Sequence, residues 1–195
     1  MVGQDPVAKP AGHGHLPSIG TGVAAPPQGH DRPAPVDLID LRDAAGDRCV
    51  VRVTGRYRPG VLTGHDTLRA EVLIFADFVD ARLEVFLFQE DLDNWQRDLS
   101  RLAPGRGATL GRDRGLVLHL LMQEDRTLWL SVEDPDRLNV LLGIDPQDTW
   151  IQEHHQRLDH VRETWPSEVV ETAPMTYAWS SGRESPARHD PEGAS

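Results

Sequence analysis

Leu68-Arg-Ala-Glu-Val-Leu-Ile-Phe-Ala-Asp-Phe-Val-Asp-Ala-Arg-Leu-Glu-Val-Phe-Leu-Phe88 decides the fold. From Leu68 to Phe78 the even positions (Leu68, Ala70, Val72, Ile74, Ala76, Phe78) are apolar. The odd ones include Arg69, Glu71 and Asp77. A period of two places side chains on alternate faces of a strand, so this is a half-buried strand. Arg82 to Phe88 alternates again, with Leu83, Val85 and Leu87 opposite Arg82, Glu84, Phe86 and Phe88. The Phe78-Val-Asp-Ala81 connection between them is too short for anything but antiparallel pairing.

Upstream, Val36–Leu41 and Arg48–Tyr57 carry the same alternation and suggest a hairpin. Cys49, Val51 and Val53 share one face of the second strand, which makes Cys49 a buried, unreactive thiol. Downstream the period changes. Leu92, Trp95, Leu99 and Leu102 fall at helical spacing, with Asp91 and Asp93 in the first turn where the helix dipole favours acids. Pro104-Gly105 stops this helix. Ala108–Gly111, Leu116–Met122 and Leu128–Glu133 read as three more strands.

Asp134-Pro135 then has the form of an N-cap followed by proline at the first helical position. It predicts a short helix through Leu138, Leu141 and Leu142, ended by Gly143. Asp145-Pro146 repeats the signal before a helix that runs to about Thr164, with Ile151, Leu158, Val161 and Trp165 on its apolar stripe. Strands, helix, strands, helices in that order predict an α+β domain: a mostly antiparallel sheet of about six to seven strands with helices packed on one face.

Composition is uneven along the chain. Residues 1–35 hold six Gly and seven Pro, balanced charge and no apolar period; they and residues 181–195 read as disordered tails. Between them lies a single domain, 36–180, with 16 basic and 26 acidic residues, so −10 of the chain's net −11 belongs to it. That acidity argues against nucleic-acid binding through phosphate neutralisation. The longest uninterrupted apolar run, Val72–Ala76, is too short for a membrane span. One cysteine excludes an internal disulfide and a multi-thiolate zinc site. The expected location is the cytoplasm.

Candidate site residues fall into three groups. Arg52, Arg56, Arg58 and His65 cluster around the Tyr57–Gly60 loop, where guanidinium forks could hold a carboxylate or phosphate or simply balance acids. Glu153, His154, His155, Asp159, His160 and Glu163 invite a metal, but His154–His160 and His155–His160 are six and five residues apart. Neither pair converges on one helix turn, so no metal site is assigned. His154 falls instead on the apolar stripe. Trp165–Trp179, with Trp165, Tyr177 and Trp179 and two prolines, either packs on its own domain or forms a strip for a partner. No catalytic set, cofactor site or phosphate loop emerges.

Cys49-Val-Val-Arg-Val-Thr-Gly-Arg56, Pro59-Gly-Val-Leu-Thr-Gly-His-Asp66 and the Trp165–Trp179 run resemble an uncharacterised actinobacterial family of unknown function. The resemblance implies a cytoplasmic bacterial protein and no particular activity. The strands leading into the Leu92–Leu102 helix, and the later Trp129-Leu-Ser-Val132 strand ending, are similar to small immunity proteins of bacterial toxin systems. That likeness implies a non-enzymatic acidic domain that binds a basic protein partner. The alternative is a small-molecule enzyme or ligand-binding domain using Arg56, Arg58 and His65, or His154, His155 and His160.

Overall fold

A computed structural model describes residues 33–59, 65–111 and 115–180. The two expected tails (but for 33–35), with His13, His15 and His30 in the first, and residues 60–64 and 112–114 lie outside the described residues. The fold is α+β, with ten antiparallel strands and two helices. The strands are more numerous than expected and divide into two four-stranded meanders and a hairpin.

The first meander comprises β1 (Val36–Arg42), β2 (Arg48–Arg56), β3 (Leu68–Ala76) and β4 (Val79–Leu87), in sequence order. Strands β3 and β4 come from the Leu68–Phe88 stretch. Ala76 pairs with Val79, so Asp77-Phe78 forms a two-residue turn. Phe78 therefore leaves the core face and is exposed. Helix α1 (Gln89–Leu99) follows. Its third residue, Asp91, accepts a hydrogen bond from the Phe88 N–H at 2.7 Å, and its Leu92, Trp95 and Leu99 are buried.

The second meander repeats the plan with β5 (Gly107–Gly111), β6 (Val117–Met122), β7 (Leu128–Asp134) and β8 (Leu138–Ile144), then helix α2 (Trp150–Thr164). Strand β8 overturns the expected short helix. Asp134-Pro135 does not cap a helix: the Asp134 carboxylate accepts the Asp136 N–H at 3.2 Å and the Arg137 guanidinium, which tightens the β7–β8 turn. An aspartate that captures a backbone N–H two residues on serves a turn as well as it serves a helix start. The true period is two: Val140, Leu142 and Ile144 are buried, while Asn139, Leu141 and Gly143 are exposed.

Each helix packs against the first strand of the other meander, α1 on β5 and α2 on β1. One continuous core joins them, including Leu38, Ile39, Val51, Ile74, Trp95, Leu118, Leu130 and Leu158. The last hairpin, β9 (Val169–Ala173) with β10 (Thr176–Trp179), is largely exposed apart from Val169.

Candidate functional site

Arg56 is placed by a bulge. Val53 pairs with Ala70, but Gly55 pairs with Arg69 and Arg56 with Leu68, so one extra residue enters β2. Gly55 has φ 151°, a backbone conformation that suits a residue without Cβ. The phase of the strand changes there. Arg56 turns to the inner face with Leu68, while Tyr57 meets the ring of Phe86, with centroids 4.5 Å apart.

Inside, Arg56 closes a polar knot. Its Nη1 lies 2.8 Å from Oδ1 of Asp66, its Nε lies 3.4 Å from the Glu168 carboxylate, and its Nη2 donates to the Pro166 carbonyl. The Asp66 carboxylate also accepts the N–H groups of Glu168 at 2.8 Å and Val169 at 3.2 Å. Asp66 is buried and sits at φ 56°, which aspartate tolerates better than most residues. The knot fastens the start of the β9–β10 hairpin to the end of β2. The groups that could have gripped an outside anion grip the chain itself.

The remaining members of the arginine group are dispersed or engaged. Arg52 forks onto Asp37 across the β1–β2 pair, at 2.6 and 3.1 Å. The Arg58 guanidinium lies 5.0 Å from the centre of the Tyr57 ring. His65 meets Tyr177 of β10, with ring centroids 5.2 Å apart. Trp165 is buried in the core, whereas Tyr177 and Trp179 are exposed by 44% and 37%, so the aromatic run both packs on the domain and faces solvent.

The histidines of α2 do not converge. His154 is fully buried; His155 is half-buried and His160 exposed. His154 Nδ1 lies 2.6 Å from the Trp150 carbonyl and Nε2 accepts the Asp40 N–H at 3.1 Å. Those two partners require the neutral ring with its proton on Nδ1. Burial pushes its pKa down to about 4. Among the described residues no group of His, Cys, Asp and Glu is placed to hold a metal. Cys49 is buried too, and desolvation raises its thiol to about 12.

A depression of about 760 Å³, open to solvent, lies between β1 and α2 and is lined by Asp37, Arg52, Glu153, Arg157 and His160, among others. Beside it, Asp40 is opposed by burial but held below the usual carboxylate range by hydrogen bonds from Arg48 and Arg42. Arg157 of α2 reaches the same carboxylate at 3.4 Å. These groups join a helix to a strand edge.

One feature lies outside all three candidate groups: the outer face of the β5–β8 sheet. Trp129 is 50% exposed, Leu141 57% and Leu121 41%. Leu121 is directly opposite Trp129, and Leu141 faces Ser131, two residues along from Trp129. Glu133, on the same face, is held by the Ser131 hydroxyl at 2.7 Å. The signal was present as parity: Trp129 is out of phase with Leu128, Leu130 and Val132.

A family model matches residues 36–166, which is 131 of the 195 residues, and describes a family of unknown function, DUF5959. The chain belongs to the DUF5959 family. No curated protein and no solved structure matches it. The match covers both meanders and both helices of this DUF5959 domain and reaches Pro166, whose carbonyl Arg56 holds. No helix among the described residues is long and apolar enough to cross a membrane.

Proposed function

We propose that this DUF5959 protein is a non-enzymatic protein-binding domain, immunity-like or regulatory, that receives a basic partner on the outer face of β5–β8. The observation that carries the reading is the exposed Trp129–Leu121–Leu141 patch on a face whose described strand residues include no Arg or Lys. Large exposed aromatic and aliphatic side chains at the centre of a patch are the usual anchors of protein interfaces. Glu133 beside them has only a serine partner among the described residues, and so can take a cation from outside. A net charge of −10 over residues 36–180 would steer a basic protein toward the domain and raise its association rate.

The experiment is affinity capture from native lysate at low and moderate salt, with wild type, Trp129→Ala and Glu133→Arg run in parallel and captured proteins identified by mass spectrometry. The expected result is one stoichiometric basic protein, lost with Trp129→Ala and weakened by salt and by Glu133→Arg. Recovery of no stoichiometric partner at either salt, or capture indifferent to both substitutions, would overturn the reading.

A further inference from the structure

The two larger sheets have four edge strands, and three of them are guarded. On β1, His154 of α2 accepts the Asp40 N–H and Arg157 donates to the Asp37 carbonyl at 3.4 Å. The strand also carries Asp37, Asp40 and Arg42. On β5, the Thr109 N–H donates to the Asp98 carboxylate of α1 at 3.2 Å. On β4, Asp80, Arg82 and Glu84 place charge along the edge. Such devices keep a free edge from pairing with another chain.

Strand β8 has none of them. Its seven residues, Leu-Asn-Val-Leu-Leu-Gly-Ile, include no charged residue and no proline, in a chain with 51 charged residues. It pairs with β7 on one side and ends the sheet on the other. Among the described residues no side chain caps its backbone. We infer that β8 pairs antiparallel with β8 of a second copy across a two-fold axis, joining two meanders into one eight-stranded sheet.

Charge complementarity selects a second copy as the occupant. Two domains of charge −10 meet here without setting acid against acid, because the edge is neutral. Centring the axis on Leu141, the midpoint of the strand, keeps Val140 and Leu142 of both copies on the buried face. Leu138 then faces Ile144 of the other copy, Asn139 faces Gly143, and Leu141 faces itself. One step beyond each end, Arg137 of one copy comes opposite Asp145 of the other. Arg137, whose Nε and Nη2 are held by Asp134, is exposed, and Asp145 is exposed with no cation of its own among the described residues. An isologous contact of this kind closes at two subunits. It neither needs nor excludes the basic partner proposed above.

Sedimentation of the purified full-length protein over a range of micromolar concentrations tests this. Wild type should run at twice the 21.7 kDa chain mass. Leu141→Lys and Leu141→Glu should each run as monomers, since each puts like charges opposite across the axis, and an equimolar mixture should regain the dimer. The site is 57% exposed, so both variants should keep the wild-type circular dichroism spectrum. Asp145→Arg, beyond the strand, should weaken the dimer without touching the core. A wild type that stays monomeric at every concentration, dimers that persist in both Leu141 variants, or a mixture that fails to re-form them would overturn the inference. Capture of a lysate protein by a monomeric wild type would leave the proposed function standing and this pairing refuted.

Discussion

His154 gives the domain a stability that depends on pH in a defined direction. Its ring is enclosed by Trp150 of its own helix, at 5.5 Å between centroids, and by Trp95 of α1, at 6.5 Å. The charged groups facing it are Arg157 and Glu153 on α2 and Asp40 on β1. Protonation would put a proton on Nε2, where the Asp40 N–H already points, and would bury a cation among indole rings. The pKa therefore falls from 6.5 to about 4, with burial the leading cause. Because the folded value lies below the unfolded one, the unfolded chain binds the extra proton first. The contribution is intact above the unfolded value of 6.5, fades as pH falls through it, and is lost by about 4. A shift of this size corresponds to about 3 kcal/mol. Urea unfolding of wild type and His154→Gln, from neutral pH down to about 4, is the assay. Glutamine retains a donor and an acceptor but does not titrate, and carboxylates that protonate in the same range do so in both proteins. Wild type should lose about 3 kcal/mol more than the variant on acidification. Parallel curves, or a wild type that gains on the variant as pH falls, would refute the neutral, doubly hydrogen-bonded ring.

Three further outcomes follow from burial and pairing. Asp66→Ala should cost roughly 3–5 kcal/mol in urea unfolding, because it removes the nearer of the two carboxylates that hold the Arg56 guanidinium and leaves two backbone N–H groups without their acceptor. Limited proteolysis should then cut the β9–β10 hairpin, which a merely local effect would leave intact. Leu99→Ala, at a position 2% exposed, should cost roughly 2–5 kcal/mol through the cavity between α1 and the sheets, read as a shift in urea midpoint. Cys49, with its thiol raised to about 12, should resist an aromatic disulfide reagent at mildly alkaline pH until denaturant is added. Fast labelling of the native protein would contradict its burial.

What was legible in the sequence is what depends on local period. Leu68–Leu87 alternates cleanly because one face of β3 and β4 is core and the other carries charge. The Leu92–Leu99 stripe and the placing of His154 on the apolar side of α2 follow the same logic. The failures have physical causes as well. Leu138, Leu141 and Leu142 fit a helical stripe, and Leu138, Val140, Leu142 and Ile144 fit a strand. Only pairing with β7 decides between them, and pairing is non-local. Sequence proximity groups Arg52 and Arg56 around one loop, but one bulged residue at Gly55 turns Arg56 inward, away from Arg52. Trp165–Trp179 lacked a period because the hairpin within it buries only Val169, so solvent sets no alternation. The split into two sheets has no local signature at all.

The two meanders share a topology but not an outer face, and the difference locates association on one of them. Across β1–β4 the outward side chains include four ion pairs, Arg48 with Asp40, Arg52 with Asp37, Arg69 with Glu84 and Arg82 with Glu71, set among the partly exposed rings of Phe75 and Phe86. Exposed pairs contribute roughly 0–1 kcal/mol each, so stability alone is a weak reason for the three whose carboxylates are open to solvent, Asp40 being buried. Their stronger effect is to keep that sheet hydrated and to make wrong contacts costly. Across β5–β8 the equivalent positions hold Leu121, Trp129, Ser131 and Leu141, and the last strand is uncharged. The first meander intersperses its exposed rings with charge, and the first strand of each meander is capped by a helix, whereas Trp129 and Leu141 on β7 and β8 stand beside an uncharged edge. Moving charge there, as Leu141→Lys does, should therefore change association while leaving the fold intact. Arg52→Ala should cost the Asp37 pair and leave association unaltered.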